Sequence, residues 1–212
     1  MVARNVAHDG HPAVLNKVRD RGVAAALWER PLDQELAAWL DLLPGRALPG
    51  MRWSGDVGVL PAALDAALVH PASGVAGLGG MSDNRMKDWL AAEILDLAGL
   101  FAQVMGVGAV ALRLDVVTGD ACRRFHRDRM VARMLCTLRG SGTEYGSEVG
   151  PGQVAPVAHM GRGAVGIFRG SLWPGEETGL LHRSPPISGT GETRLLLVVA
   201  LPEAACDCGM AH

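Results

Sequence analysis

The stretch CRRFHRDRMVARMLCTLRGSGTEYG, from Cys122 to Gly146, contains the residues on which the fold and function of this chain depend. A histidine and an aspartate, His126 and Asp128, stand two residues apart before an apolar run that ends in a glycine-rich turn. In an extended chain, residues two apart project to the same face, so this imidazole and carboxylate can lie side by side. Such a short motif is only a hypothesis, because an aspartate in a turn also caps backbone amides.

A third ligand would complete a metal site, and His182, at the end of the short apolar segment GLLH, is the candidate. Two histidines and one carboxylate on one face of an ion leave other positions open, which suits Fe(II) that binds oxygen and a co-substrate. Taken alone, His182 is better explained as a hydrogen-bonded, partly buried histidine. The metal interpretation therefore depends on all three residues together.

An arginine, Arg194, follows twelve residues after His182 and opens the apolar strand RLLLVVAL. A guanidinium at the edge of a buried strand is costly unless an anion pairs with it, and its planar fork fits a carboxylate. We expect His182 and Arg194 to lie on adjacent antiparallel strands, joined by the turn residues of SPPISGTGE. A surface ion pair between Arg194 and Glu192 is the ordinary alternative.

The periodicity of the chain predicts an α+β fold. Apolar residues at helical spacing predict three helices, over residues 31–43, 61–69 and from Ser82 to Gly106, with a glycine-rich loop from His70 to Met81. After Gly108, short alternating runs separated by tight turns indicate an antiparallel sandwich or barrel. We expect one compact domain with a helical support region in residues 1–108, the strands in 109–203 and a tail in 204–212.

The bulk composition excludes several classes of partner. The chain has 212 residues and a net charge of −2, so no global field attracts it to nucleic acid or to a membrane surface. It lacks an apolar run long enough to span a bilayer and the apolar region of a signal peptide. We expect a cytoplasmic protein whose four cysteines are reduced.

The order of these motifs resembles the Fe(II)/2-oxoglutarate-dependent dioxygenase superfamily. The resemblance covers roughly Leu112 to Pro202 and rests on the His-x-Asp pair, the turn GSGTEYG, GRGAVGIFRG and HRSPPISGTGETRLLLVV. It implies a double-stranded β-helix (jelly roll) in the C-terminal half with supporting N-terminal helices. It also implies that His126, Asp128 and His182 hold iron and that Arg194 binds the far carboxylate of 2-oxoglutarate.

The segment FHRDRMVARMLCTLRGSGTEY is, more narrowly, similar to an uncharacterised bacterial domain-of-unknown-function family (number eighteen twenty-six). The function implied is an Fe(II)- and 2-oxoglutarate-dependent dioxygenase or hydroxylase acting on an unknown small molecule or side chain. A cupin-like protein that binds zinc or another metal in metal homeostasis, without 2-oxoglutarate, is the alternative. A third alternative is a noncatalytic metal-homeostasis or interaction protein that keeps the jelly-roll fold but has lost the enzyme activity.

Other residues are candidates for secondary roles. Tyr145, the single tyrosine of the chain, and His159 could donate a hydrogen bond to 2-oxoglutarate or substrate, although ordinary packing explains both, and Trp173 lies in a loop that could cover the site. The tail CDCGMAH offers Cys206, Cys208 and His212 as a possible clamp for zinc or copper.

Five arginines surround the His-x-Asp pair, at positions Arg123, Arg124, Arg127, Arg129 and Arg133. They form either a solvated, ion-paired face or a rim that attracts an anionic substrate. Strand alternation places Arg127, Arg129 and Arg133 on the face opposite the metal ligands. Arg133 would reach the site only if a bulge intervenes.

Overall fold

Two β-sheets face each other in the computed structural model, which describes residues 5–68, 81–120, 122–175 and 179–202. The larger sheet has seven strands in the order β1-β2-β9-β5-β11-β4-β3. These strands are β1 Val6–Asp9, β2 Ala25–Trp28, β3 Met51–Asp56, β4 Ala109–Val117, β5 Ala132–Arg139, β9 Val165–Arg169 and β11 Arg194–Ala200. The smaller sheet contains β6 Glu144–Gly150, β7 Gln153–Val154, β8 Ala158–His159 and β10 Leu180–Arg183. All strand pairs are antiparallel except β1 with β2.

Strand β11 shows how the sequence divides the interior into two sides. All seven of its residues are buried, as expected for a nearly continuous apolar run that is covered on both faces. Leu195, Leu197 and Val199 join the core that packs under the helices, whereas Leu196 and Val198 face the smaller sheet. Because side chains alternate along a strand, Arg194 points to the same side as Leu196 and Val198. The strand therefore carries its one charged side chain into the space between the two sheets.

Three α-helices cover the outer face of the larger sheet. They are α1 Gln34–Leu42, α2 Leu60–Leu68 and α3 Met81–Met105, with shorter 3-10 helices at Pro12–Arg19, Gly45–Ala47 and Val57–Val59. Asp33 caps α1 by accepting hydrogen bonds from the amides of Glu35 and Leu36. Leu90, Ile94 and Phe101 of α3 are fully buried in the core that also contains the outward side chains of β11.

The α+β fold class and the double-stranded β-helix are confirmed, and the three predicted helices are present with ends shifted by a few residues. The region 1–108, expected as a helical support, also contains β1, β2 and β3, which extend the larger sheet at both edges. Strands β1 and β2 have only four residues each, too few for a period to appear. Most of the predicted glycine-rich loop falls in residues 69–80, outside the described residues.

None of the helices in the described part of the chain is both long and apolar enough to cross a membrane.

Candidate metal and co-substrate site

A backbone bridge brings the two candidate histidines together. The amide of His126 donates to the carbonyl of His182 at 3.0 Å, and the amide of His182 donates to the carbonyl of His126 at 3.0 Å. Two residues joined in this way are directly opposite on antiparallel chains, so their side chains leave on the same face. The imidazole rings consequently lie 4.9 Å apart, centroid to centroid.

Asp128 lies between the two rings. Its Oδ1 is 3.4 Å from Nε2 of His126, and its Oδ2 is 3.1 Å from Nε2 of His182. One ligand atom from each of the three residues can be chosen so that all lie within 4.8 Å of one another. A single ion can therefore contact all three.

The loop that carries Asp128 is held by residues that follow β9. The amide of Ser171 donates to the Asp128 carbonyl at 2.8 Å, and the amide of Gly170 donates to the Val131 carbonyl at 2.8 Å. A Cβ atom on Gly170 would stand 2.0 Å from the Met130 carbonyl oxygen and 2.8 Å from that of Asp128. Only glycine allows the two segments to approach this closely.

Hydrogen bonding around the triad suits metal ligation. The Nδ1 atom of His126 lies 2.8 Å from the Arg124 carbonyl oxygen, which can accept only if Nδ1 carries the proton and Nε2 is left as the ligand. Asp128 Oδ2 and His182 Nε2 are buried without a hydrogen-bond partner of adequate geometry within the described chain. Buried polar atoms are nearly always satisfied, so these two atoms, 3.1 Å apart and with an ionic contact from Arg133 to Asp128 Oδ2, fit a shared cation.

The pKa directions agree with this arrangement. Burial opposes ionisation of Asp128, but its contacts with His126 and His182 and the charge of Arg133 outweigh burial and hold its pKa below the usual range. Burial lowers the pKa of His182, although Asp128 opposes this change. The contact with Asp128 raises the pKa of His126. The carboxylate is thus ionised and the inner imidazole favours its neutral form, as ligation requires.

Arg133 contacts the metal-site carboxylate directly. Its Nε lies 2.9 Å from Asp128 Oδ2, and only 16% of its side chain is exposed. The expectation that alternation turns Arg133 away from the site is wrong, because residues 127–131 are not in a strand and β5 begins only at Ala132. Arg133 therefore reaches Asp128 because the segment between them is irregular, and no bulge in a strand is needed.

Arg194 is completely buried and points between the sheets. Its Nε donates to the Ser141 carbonyl at 2.6 Å, and its Nη1 donates to Ser184 Oγ at 3.0 Å. Its Nη2 is buried without a partner in the described part of the chain. Glu192, the expected surface partner, instead accepts from the amide and hydroxyl of Ser141. The guanidinium retains a free donor for an anion.

The predicted placement of His182 and Arg194 on adjacent strands is wrong. His182 lies in β10 of the smaller sheet, whereas Arg194 begins β11 of the larger one. The segment between β10 and β11 is long enough to cross from one sheet to the other. Asp120 fixes its position by accepting hydrogen bonds from the amides of Ile187 and Ser188. Ser184 links the two ends by accepting from Arg194.

A cavity of about 490 Å³ opens beside these residues. His126 and His182 line it together with Arg133 and Ser184, and further along its wall are Arg52, Arg113, Asp115, Asp120, Thr143 and Leu196. This volume is within the usual range for small-molecule sites, roughly 300 to 1,000 Å³.

Tyr145 is directly opposite His182 in the pairing of β10 with β6, and its role beside 2-oxoglutarate stays a prediction. Tyr145 is buried, packs its ring 6.1 Å from that of Phe168, and lines a separate cavity that His159 also lines. Trp173 stacks on Arg169 and lines a third cavity. Cys206, Cys208 and His212 are outside the described residues.

Sequence reasoning overlooked Gly170, Ser184 and the pair Arg52 and Arg113. Gly170 and Ser184 stand in the motifs GRGAVGIFRG and HRSPPISGTGE, so their local sequence offered a signal. The sequence around Arg52 and Arg113 offers no such signal, because it is the pairing of β3 with β4 that brings these two residues to the cavity.

The fold is that of the double-stranded β-helix proteins, and the three converging side chains form a candidate metal centre within it. The chain belongs to the family of proteins of unknown function DUF1826, whose model matches residues 9–199. No curated protein matches the sequence.

Solved structures with a similar arrangement include three from different organisms. The dioxygenase for auxin oxidation 1 from Arabidopsis thaliana, in a 2-oxoglutarate complex, is 13% identical with a TM-score of 0.48, covering 95% of this chain and 92% of that chain. A prolyl-4-hydroxylase from Pseudomonas putida is 15% identical with a TM-score of 0.41, covering 89% and 96%. A bsmA homolog from Methylobium petroleophilum is 15% identical with a TM-score of 0.40, covering 89% and 91%. Likenesses at this level do not identify a reaction.

Proposed function

We propose that this protein is an Fe(II)- and 2-oxoglutarate-dependent dioxygenase or hydroxylase. One observation carries the proposal: ligand atoms of His126, Asp128 and His182 lie within 4.8 Å of one another, and the cavity that both histidines line also contains Ser184, which accepts from Arg194, a fully buried arginine with a free donor. A cation satisfies the first requirement and a carboxylate satisfies the second. 2-Oxoglutarate supplies both a metal-chelating end and a distant carboxylate.

Each residue has a role that follows from its position. His126 and His182 present Nε2 to the ion, while Asp128 supplies the negative charge and is oriented by Arg133. Arg194 and Ser184 receive the far carboxylate of the co-substrate. Bound iron would supply the activation of oxygen, which side chains cannot perform. The surrounding protein orients the reactants and restricts the access of water.

A zinc-binding protein without 2-oxoglutarate is the second candidate, because the same three ligands with an open position also suit zinc. It leaves the Nη2 donor of Arg194 unexplained, since a buried guanidinium without an anion is costly. Arg194 therefore favours the oxygenase. The metal content of protein purified from its native host tests this alternative, because overexpression can load the wrong ion.

Binding of the co-substrate is the direct test. Protein reconstituted anaerobically with Fe(II) should bind 2-oxoglutarate and develop a weak visible charge-transfer band. Arg194→Ala should retain the metal but lose the band at the same co-substrate concentration. Full iron loading without any band in the unmodified protein would count decisively against the proposal.

Turnover gives a second test. Oxygen-dependent succinate release should be measured against a pool of metabolites, with His126→Ala as the inactive control. His159→Ala is a matched control, because His159 is exposed and lines a different cavity. We expect the His159 variant to behave like the unmodified protein.

A further inference from the structure

The wall of the metal-site cavity carries several charged residues, and most of them are already committed to partners. The Nε of Arg183 donates to Glu144 at 2.6 Å, and Arg133 contacts Asp128. Asp120 accepts two backbone hydrogen bonds from the loop before β11. These contacts hold the site together and leave little capacity for another ligand.

Arg52 and Arg113 are different. They are directly opposite each other on β3 and β4, so two positive charges face each other across adjacent strands. Like charges in this position destabilise a sheet unless an anion lies between them. The cavity wall supplies one carboxylate to the pair, Asp115, whose oxygens lie 3.6 Å from the nearest nitrogen of each arginine. These distances exceed those of direct hydrogen bonds, and one positive charge remains uncompensated.

This arginine pair is separate from the proposed carboxylate contact at Arg194. Along β4, Val117 is opposite Arg194, whereas Arg113 is opposite Val198. Four residues of strand separate these two levels, which corresponds to roughly 13 Å. Arg133, which contacts the metal-site aspartate, lies nearer the Arg113 level, because it pairs with Ala200. Arg194 reaches one end of the cavity through its hydrogen bond to Ser184, and the arginine pair lines the opposite end.

The second basic contact is also the more open one. The side chains of Arg113 and Arg52 are 37% and 73% exposed, whereas Arg194 is completely buried. The planar forks of two arginines suit an oxyanion, and they can bind it in bidentate fashion.

We propose that Arg52 and Arg113 bind the anionic group of the substrate, which is a small molecule bearing a carboxylate or a phosphate. This inference rests on the proposed function for the identity of the molecule as a substrate, but the anion site itself does not depend on iron or 2-oxoglutarate. The substrate lies with its charged end at the arginine pair and its reacting part toward His126. Asp115 contacts both guanidinium groups at 3.6 Å and holds them together at this end of the cavity.

Protection from arginine modification tests the site residue by residue. Protein loaded anaerobically with Fe(II) and a constant, saturating concentration of 2-oxoglutarate is treated with phenylglyoxal, and each arginine is followed by peptide mass spectrometry. One arm adds inorganic phosphate and the other adds acetate, so that the two sources of oxyanion are distinguished. We expect at least one of them to slow modification of Arg52 and Arg113 but not of exposed Arg46, which does not line the cavity.

Two variants distinguish binding of the anion at the arginine pair from an effect of the total charge of the protein. Arg113→Gln should raise the anion concentration that half-protects Arg52 by about ten-fold, because a charge-assisted contact is lost. Arg46→Gln removes the same charge elsewhere and should leave that concentration unchanged. Equal protection of Arg46, no protection by either anion, or equal effects of the two variants would each overturn the inference. The charge-transfer band in the same samples reports on the proposed function separately, so either idea can fail while the other stands.

Discussion

Arg169 and Arg194 are both buried arginines at ends of strands in the larger sheet, but their surroundings differ. Arg169, the last residue of β9, donates from Nε to the Val18 carbonyl at 2.8 Å and from Nη2 to the Asp20 carbonyl at 2.7 Å. Its guanidinium also stacks 4.5 Å from the ring of Trp173. Arg194 has two hydrogen bonds and a third nitrogen that is buried without a partner within the described residues.

The difference separates a structural arginine from one prepared for a ligand. Backbone carbonyls and an aromatic face stabilise Arg169 in the folded protein itself, so its burial requires no further anion. Burial lowers the pKa of Arg194, although the charges of Glu192 and Glu144 oppose this change. A buried arginine indicates a ligand site only when its hydrogen bonds remain incomplete.

The largest expected effect is on co-substrate binding. Arg194→Ala should weaken the affinity for 2-oxoglutarate about 100-fold or more, because a charge-assisted, bidentate contact is lost. Metal affinity should change little, since Arg194 contacts none of the three ligands. Titration of the Fe(II) protein, followed by the charge-transfer band, measures both quantities. A variant with normal 2-oxoglutarate affinity would place Arg194 in the same structural class as Arg169.

A change that breaks the metal centre without removing a ligand is Gly170→Ala. The new Cβ would collide with the carbonyls of Met130 and Asp128, so the loop carrying the metal-site carboxylate must move. We expect metal affinity to fall roughly 10- to 100-fold, the range found when groups supporting metal ligands are altered. Competition with a chelator of known affinity measures the change.

Gly161→Ala is the control for this substitution. Nothing lies within 4 Å of a Cβ atom built on Gly161, and its φ is not positive. This variant should bind metal as the unmodified protein does. Equal metal affinity in the Gly170 and Gly161 variants would show that the close approach does not position Asp128.

Arg169→Met tests the other member of the comparison. The two backbone carbonyls at Val18 and Asp20 lose their guanidinium donors, and the free energy of unfolding should fall by about 1 to 2 kcal/mol. The affinity for 2-oxoglutarate should stay unchanged. Urea denaturation measures the first quantity and the charge-transfer titration the second. Loss of co-substrate binding in a folded variant would contradict the division between the two arginines.

The parts of the site that sequence could predict are those whose chemistry is local. The spacing of His126 and Asp128 and the position of Arg194 at the start of an apolar strand were both readable along the chain. The sheet to which each strand belongs could not be predicted, because the ten residues between Arg183 and Arg194 allow either a hairpin within one sheet or a crossing to the other. The need for glycine at 170 depends on carbonyls 40 and 42 residues earlier, and periodicity carries no information on such contacts.

The smallest expected effect is the pH dependence of metal binding, and it distinguishes the histidines from Arg194. The contact with Asp128 raises the pKa of His126, so a proton must leave this ring when metal binds near neutral pH. Burial lowers the pKa of His182, so its ring favours the neutral form and should release fewer protons than His126. Metal affinity should therefore fall as pH decreases, by no more than about ten-fold from pH 7 to pH 6.

Calorimetric titration with Mn(II) in two buffers of different ionisation enthalpy counts the protons released. We expect fewer than two protons to be released per metal ion at pH 6, most of them from His126. Arg194 stays charged throughout this range, so 2-oxoglutarate binding to the metal-loaded protein should not vary with it. Release of two protons would mean that both imidazoles are protonated before metal binds, and that burial of His182 between Phe168 and Asp128 does not keep it neutral.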